Sequence, residues 1–149
     1  MNNQSDVREN SADRIIAVVL AFSLLYAVVR YHIAGPVPWQ DLPFFILNKG
    51  ISLGAFILLA MNFGLGPLNN LGVKVSRGWL NARKAMGMTG FLLVLIHALM
   101  SFMLFSPANY GKFFVENGSL TLLGGLPPIS LVAFTFFAVG YVINLFGRE

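Results

Sequence analysis

The sequence predicts an all-α integral membrane protein, a bundle of four transmembrane helices with both termini in the cytoplasm. Of its 149 residues, 56% are hydrophobic and only 11% are charged, and the mean hydropathy is +0.72. A soluble domain of this size cannot hide so much apolar surface in one core. Four apolar stretches each approach the length of about 20 residues that a helix needs to cross the hydrocarbon core. The basic residues are distributed unevenly between the two sides of these stretches.

The chain is treated as a single transmembrane domain, 1–149. A polar tail, 1–13, precedes the first span, and Ser11 is the expected N-cap of that helix. The spans are placed at about 15–34, 44–65, 85–105 and 127–146. Proline breaks or starts these helices, as with Pro38 after the first span and Pro127 at the beginning of the fourth.

An outer loop, 106–126, joins the third span to the fourth. Ser106 is the expected N-cap of a short interfacial helix in this loop, and an Asn117-Gly118 turn is predicted after it. The aromatic residues of the short helix are expected at headgroup level, where such side chains are enriched. They are Tyr110, Phe113 and Phe114.

The positive charges predict the orientation. Cytoplasmic loops of membrane proteins carry an excess of lysine and arginine. With four spans, the loop between spans two and three lies on the same side as both termini, and this side holds most of the basic residues: Arg8, Arg14, Lys74, Arg77, Arg83, Lys84 and Arg148. The opposite side holds Arg30, Lys49 and Lys112. We therefore expect both termini to be cytoplasmic, and the bacterial cytoplasmic membrane is the expected location.

Composition excludes several classes of function. The chain has no cysteine, so it has no disulfide, no thiolate metal site and no covalently attached c-type haem. The basic residues are dispersed along long apolar segments, so the expected partner is the lipid bilayer and not nucleic acid. No Gly-rich phosphate loop is present. A serine-histidine-acid site is not expected either, since His97 has no acid in its own span, and no catalytic residue is assigned.

The third span contains the most informative pattern, RKAMGMTGFLLVLIHALMSFMLF, in which a basic start leads into an apolar stretch with one histidine. Ionisable side chains at membrane depth are rare and indicate function by default. Steps of three and four residues place a mostly small or polar set on one helix face: Arg83, Gly87, Gly90, Val94, His97 and Ser101. Either a flat cofactor lies against this face, or another helix packs on its glycines and His97 is hydrogen-bonded inside the bundle.

The residue inventory supports one redox centre, a haem with imidazole ligands, because the chain has two histidines and no cysteine. Along their helices, His97 lies roughly 18 Å and His32 roughly 26 Å from the cytoplasmic side. An offset of about 8 Å is large for two axial ligands of one haem, although a helix tilt of about 20° absorbs part of it. His32 is also next to Arg30 and Tyr31, a composition typical of the membrane interface. We therefore interpret His32 as an interfacial residue and keep iron ligation as its second interpretation.

The segment ARKAMGMTGFLLVLIHALMSF resembles the third transmembrane helix of the ferric reductase-like transmembrane family, whose members include the haem-binding membrane subunit of the bacterial methionine sulfoxide reductase system. The shared pattern is a basic pair, a glycine, an aromatic residue and a haem-ligating histidine. NKGISLGAFILLAMNFGLGPL is similar to the family's second helix, and YGKFFVENGSLTLLGG is similar to the outer loop of some bacterial members. The resemblance covers roughly residues 44–140.

This resemblance implies that His97 is an axial ligand of a b-type haem, and that Arg83, Gly87, Gly90 and Ser101 lie in the cofactor-binding region. The protein would then be the membrane electron-transfer part of an oxidoreductase, with a membrane quinone as a candidate reactant. At the position of Arg83 some members have an inner-haem histidine, and others resemble this chain in having arginine. Arg83 lies about 21 Å along the helix from His97. It pairs with a haem propionate or a quinone, or it is a cationic anchor at the cytoplasmic surface.

The family pattern continues into two further helices that supply the opposite axial ligands, whereas this sequence ends at INLFGRE. Three explanations stay open: a second chain or a second copy supplies the other histidine, the protein is a shortened relative without haem, or the sequence is incomplete at its C-terminus. The alternative function is accordingly a four-helix structural or assembly subunit of a membrane complex, with no haem.

Overall fold

The computed structural model describes residues 3–126 and, beyond them, residues 129, 130, 132–134, 136, 137 and 140, with side chains described from Ala12 on. Within these residues the regular structure is helical, and no β-strand is present apart from an isolated antiparallel bridge between Phe114 and Leu120. The three long helices are α1 (Asn3–Ala27), α2 (Leu47–Asn70) and α3 (Arg77–Leu104). The expected all-α class is confirmed for this part of the chain.

Three helical segments are long and apolar enough to cross a membrane: Ala12–Ile33, Trp39–Asn70 and Arg77–Leu104. They overlap the first three predicted spans, as an integral membrane protein requires. Most of the fourth predicted span, 127–146, lies outside the described residues, and those of its residues that are described are helical. The count of four spans and the cytoplasmic orientation of both termini stay predictions.

Helix α1 begins at Asn3, well before the predicted N-cap. Ser11 therefore lies inside the helix and does not cap it, which corrects the sequence analysis. The polar segment 3–11 thus continues the helix of the first span.

The corner between α1 and α2 is built from irregular helical turns. Val28–Ile33 continues α1 as a π-helical segment, and a 3-10 turn at Trp39–Asp41 is followed by a second π-helical segment, Leu42–Ile46. The second membrane segment therefore starts at Trp39 and not near 44. Pro43 permits this early start, because proline is tolerated in the first turn of a helix.

Helix α2 also extends past its predicted end. It contains Pro67 and ends at Asn70. Proline has no N–H and its ring crowds the carbonyl four residues earlier, so one hydrogen bond of the helix is missing close to its C-terminal end. The following turn reverses the chain through Gly72, whose φ is +87°. Helix α3 then begins at Arg77 and not at 85. Its first turns are rich in cations, which lowers their hydropathy, but long cationic side chains can extend from a helix to the headgroups.

The chain divides into two compact units, Met1–Met100 and Ser101–Glu149. In the first unit, α1 and α2 approach closely where Gly50 and Gly54 face Leu20, Ser23 and Leu24. Small residues allow such close backbone approach in membrane proteins. The buried core of this unit lies nearer the α2–α3 connection and comprises Ala12, Leu58, Leu65, Ala82 and Met86.

In the second unit, the segment after α3 folds on itself. A turn at Ser106 leads to a 3-10 helix, Gly111–Phe113, that has no side-chain N-cap, so Ser106 does not cap it as expected. The Asn117-Gly118 turn is confirmed: Gly118 has φ of +80°, and the Asn117 side chain accepts a 3.0 Å hydrogen bond from the backbone N–H of Ser119. Phe105 contacts the rings of Tyr110, Phe113 and Phe114.

Candidate functional site

The site is centred on His97 of α3 and Asn48 of α2. His97 Nδ1 lies 2.7 Å from Asn48 Oδ1. An amide oxygen only accepts hydrogen bonds, so the imidazole N–H donates. Asn48 is fully buried, at 0% exposure, and His97 is half-buried. The histidine is therefore oriented by a neighbouring helix, as the hydrogen-bonded interpretation of this face predicted.

Arg83 is held by the other end of α2. Its Nε donates a 2.9 Å hydrogen bond to the backbone carbonyl of Asn62. The guanidinium lies against Gly66, where a built Cβ would be 2.7 Å from Nη1 and 3.1 Å from Cζ. Any side chain at Gly66 would thus displace the guanidinium. The structure gives Arg83 a role that the sequence analysis did not consider, namely an interhelical hydrogen-bond donor.

The two glycines of the α3 face also contact α2. A Cβ built at Gly87 would lie 2.9 Å from Asn62 Cγ, and one built at Gly90 would lie 3.0 Å from Leu59 Cγ and 3.3 Å from Leu58 Cβ. In this arrangement both glycines pack against a helix. Their predicted place beside a cofactor stays a prediction.

The contacts between α2 and α3 have an antiparallel register. Along α3 from Arg83 through Gly90 to His97, the partners on α2 run backwards from Gly66 to Asn48. All these α3 residues belong to the face selected from their three- and four-residue spacing. The structure thus brings four of the predicted site residues together along one helix pair.

Ser101, the fifth predicted cofactor-binding residue, makes a side-chain hydrogen bond with Tyr110 in the second unit. Burial raises the pKa of Tyr110 above its ordinary value, and the hydrogen bond with Ser101 opposes this rise. The serine hydroxyl therefore contacts the folded segment that follows α3.

His32 is held within the α1–α2 corner. Its Nδ1–H donates a 2.8 Å hydrogen bond to the carbonyl of Val37, and its ring centroid is 3.9 Å from that of Trp39. Neighbouring Arg30 lies over the ring of Tyr31. These contacts engage the His32 ring within the corner, and its place at the membrane interface stays a prediction.

The donor set limits the chemistry of the site. The described residues contain no group of three histidine, cysteine or acidic side chains that could hold a metal ion. An axial haem ligand requires only one imidazole, and it is usually oriented by a hydrogen bond from its other nitrogen to a carbonyl or carboxylate. His97 fits this requirement for one side of an iron.

Comparison with known proteins adds no assignment: no family model, no curated protein and no solved structure matches the chain.

Sequence reasoning missed the partners on α2. Asn48 and Asn62 are amides within an apolar segment, a pattern that often indicates interhelical hydrogen bonding in lipid. Asn48, Asn62 and Gly66 are separated by fourteen and four residues, so they share one face of α2. This spacing was the available signal.

Proposed function

We propose that this protein is the membrane electron-transfer component of a b-type haem oxidoreductase, with His97 as an axial iron ligand. One observation carries the proposal: a histidine in the interior of a membrane-length helix is held through Nδ1 by a buried amide. Such an orienting hydrogen bond is the usual companion of a ligating imidazole. The similarity of the surrounding segment to a haem-binding helix supports the same assignment.

In this function haem would supply a one-electron couple when bound. The chain's own residues bind and orient. His97 offers one imidazole, while Gly87 and Gly90 hold α2 against α3 and so keep Asn48 beside His97. Arg83 fixes the opposite end of the same helix pair. The proposed partner of the Arg83 guanidinium is an anionic haem propionate or a polar quinone.

The proposed setting is the bacterial cytoplasmic membrane, with four spans and both termini inside. His32 is engaged by Val37 and Trp39, so we assign the opposite axial ligand to a second chain or a second copy.

The test is an absorption spectrum of the protein, expressed with haem supply, isolated together with its membrane partners and reconstituted in lipid. We expect Soret and sharp alpha bands in the wild type, their loss in His97→Ala, and their retention in His32→Ala. Equal loss in both variants would show that the two histidines share one iron. Retention of haem in His97→Ala, with normal membrane insertion, would reject the ligand assignment.

A second candidate function, a structural or assembly subunit without haem, is favoured by the contacts of α3. Gly87, Gly90, Arg83 and His97 all contact α2, so helix packing alone accounts for the small and polar face. A colourless wild-type protein, isolated together with its membrane partners, would establish this function in place of the first.

A further inference from the structure

Asn48 determines which nitrogen of His97 carries the proton. A neutral imidazole has one N–H, and the contact of Nδ1 with Asn48 Oδ1 at 2.7 Å places that hydrogen on Nδ1. The lone pair of the ring is then on Nε2. A histidine that ligates a metal through Nε2 needs this tautomer.

The amide is itself held in place. Asn48 is at 0% exposure, and a buried amide that lost its partner would be costly. The antiparallel register of α2 and α3 positions the Asn48 amide. This register is maintained further along the same helix pair, where Gly90 packs against Leu58 and Leu59. The His97 ring therefore meets an acceptor whose position depends on the packing of Gly90 against the side chains of Leu58 and Leu59.

We propose that Asn48 is the positioning residue of His97, which fixes the Nδ1–H tautomer and presents Nε2 to iron. The ligand role rests on the proposed function, whereas the control of the tautomer does not. A hydrogen bond accepted from Nδ1–H also makes the imidazole a stronger electron donor, so it favours the oxidised iron. Asn48 thereby tunes the reduction potential without touching the cofactor.

The first test uses the haem-free protein in lipid, labelled with ¹⁵N in its histidine rings. The chain has two histidines, so a His32→Ala spectrum assigns the signals. We expect a protonated Nδ1 for His97 in the wild type and in Asn48→Asp, which keeps an acceptor oxygen. Asn48→Leu, similar in size but without the side-chain acceptor, is expected to lose this preference.

Ser23→Ala is the matched control for removing a buried polar group. Ser23 is at 0% exposure, and its Oγ has no hydrogen-bond partner among the described residues. Its removal should leave the His97 signals unchanged. An unchanged His97 tautomer in Asn48→Leu would overturn the inference. If Asn48→Leu does not fold, Asn48→Ala, which removes the same side-chain acceptor without adding bulk, decides in the same way.

The second test measures haem binding and the reduction potential of the same variants. Loss of a hydrogen-bond partner of a ligating histidine typically weakens metal binding by about 10- to 100-fold. We expect such a loss in Asn48→Leu, with a raised reduction potential, and a lowered reduction potential in Asn48→Asp.

Wild-type haem binding and a wild-type reduction potential in Asn48→Leu would overturn the positioning role, while His97→Ala still tests the proposed function. A wild type that takes up no haem would reject the proposed function and the iron-ligand role together, and the ¹⁵N spectra would still decide the control of the tautomer.

Discussion

Replacing Gly90 with alanine tests whether the small-residue face of α3 is a helix-packing surface. The added Cβ would lie 3.0 Å from Leu59 Cγ, 3.2 Å from Leu59 Cδ2 and 3.3 Å from Leu58 Cβ. Leu58 is at 0% exposure, so it has no free space into which it can move. Overpacking of this kind costs about 1–3 kcal/mol.

The matched control is Gly64→Ala, because a Cβ at Gly64 would meet nothing within 4 Å. Both substitutions remove a helical glycine and gain about 1 kcal/mol of helix propensity. This gain cancels in the comparison, so Gly90→Ala should be less stable than Gly64→Ala by about 1–3 kcal/mol, the overpacking cost alone.

The assay is the free energy of unfolding of both haem-free variants in the same detergent or lipid, followed by their haem content. Stabilities that agree within about 0.5 kcal/mol, the usual range for substitutions outside packed sites, would refute the packing argument for Gly90. If Gly90→Ala then also loses haem at unchanged stability, Gly90 contacts the cofactor as the sequence analysis predicted.

Three further outcomes are expected. Reporter fusions after Lys74 and at the C-terminus should report cytoplasm and a fusion near Gly111 the outside; two opposite results would remove the four-span topology. Arg83→Lys should lower the free energy of unfolding of the haem-free protein by about 0.5–2 kcal/mol. Lysine cannot reproduce the Nε hydrogen bond to the Asn62 carbonyl or the flat contact with Gly66. A change confined to the haem spectrum or reduction potential would instead indicate a propionate partner. Gly124→Ala should make the segment after α3 more sensitive to proteolysis, because the added Cβ would collide with the carbonyl oxygen of Phe113. An unchanged cleavage rate would contradict this packing argument.

The helices of this protein were predictable because their apolar length follows from the thickness of the bilayer. The ends were less predictable. A span predicted at about 44–65 leaves Pro43 and Pro67 outside it, yet both prolines lie within helical segments. Pro43 is in a first turn, where the missing N–H has no intrahelical acceptor, whereas Pro67 removes one hydrogen bond near the end of α2. The cationic start of α3 was read as a loop for a related reason: long cationic side chains reach the headgroups from inside a helix.

The error at the start of the second span concealed Asn48. With a helix beginning near 44, Asn48 falls in the first turns and resembles an interfacial residue. The structure starts helical winding at Trp39, which places Asn48 about 13 Å further along the helix than Trp39. Its amide is then buried and needs a partner. No spacing rule within α3 could reveal that partner, because it depends on the register between α2 and α3.

The α2–α3 contact is common to both functional interpretations, so the contact itself does not choose between them. The deciding feature is the second imidazole. The 149 residues contain two histidines, and His32 is engaged by the Val37 carbonyl and the Trp39 ring. A bis-imidazole haem on His97 that leaves this corner intact would therefore take its other ligand from a second copy or from a polypeptide outside these residues. A bis-imidazole haem of this kind would thus depend on assembly with that copy or polypeptide, and its spectrum has to be recorded with the assembly intact.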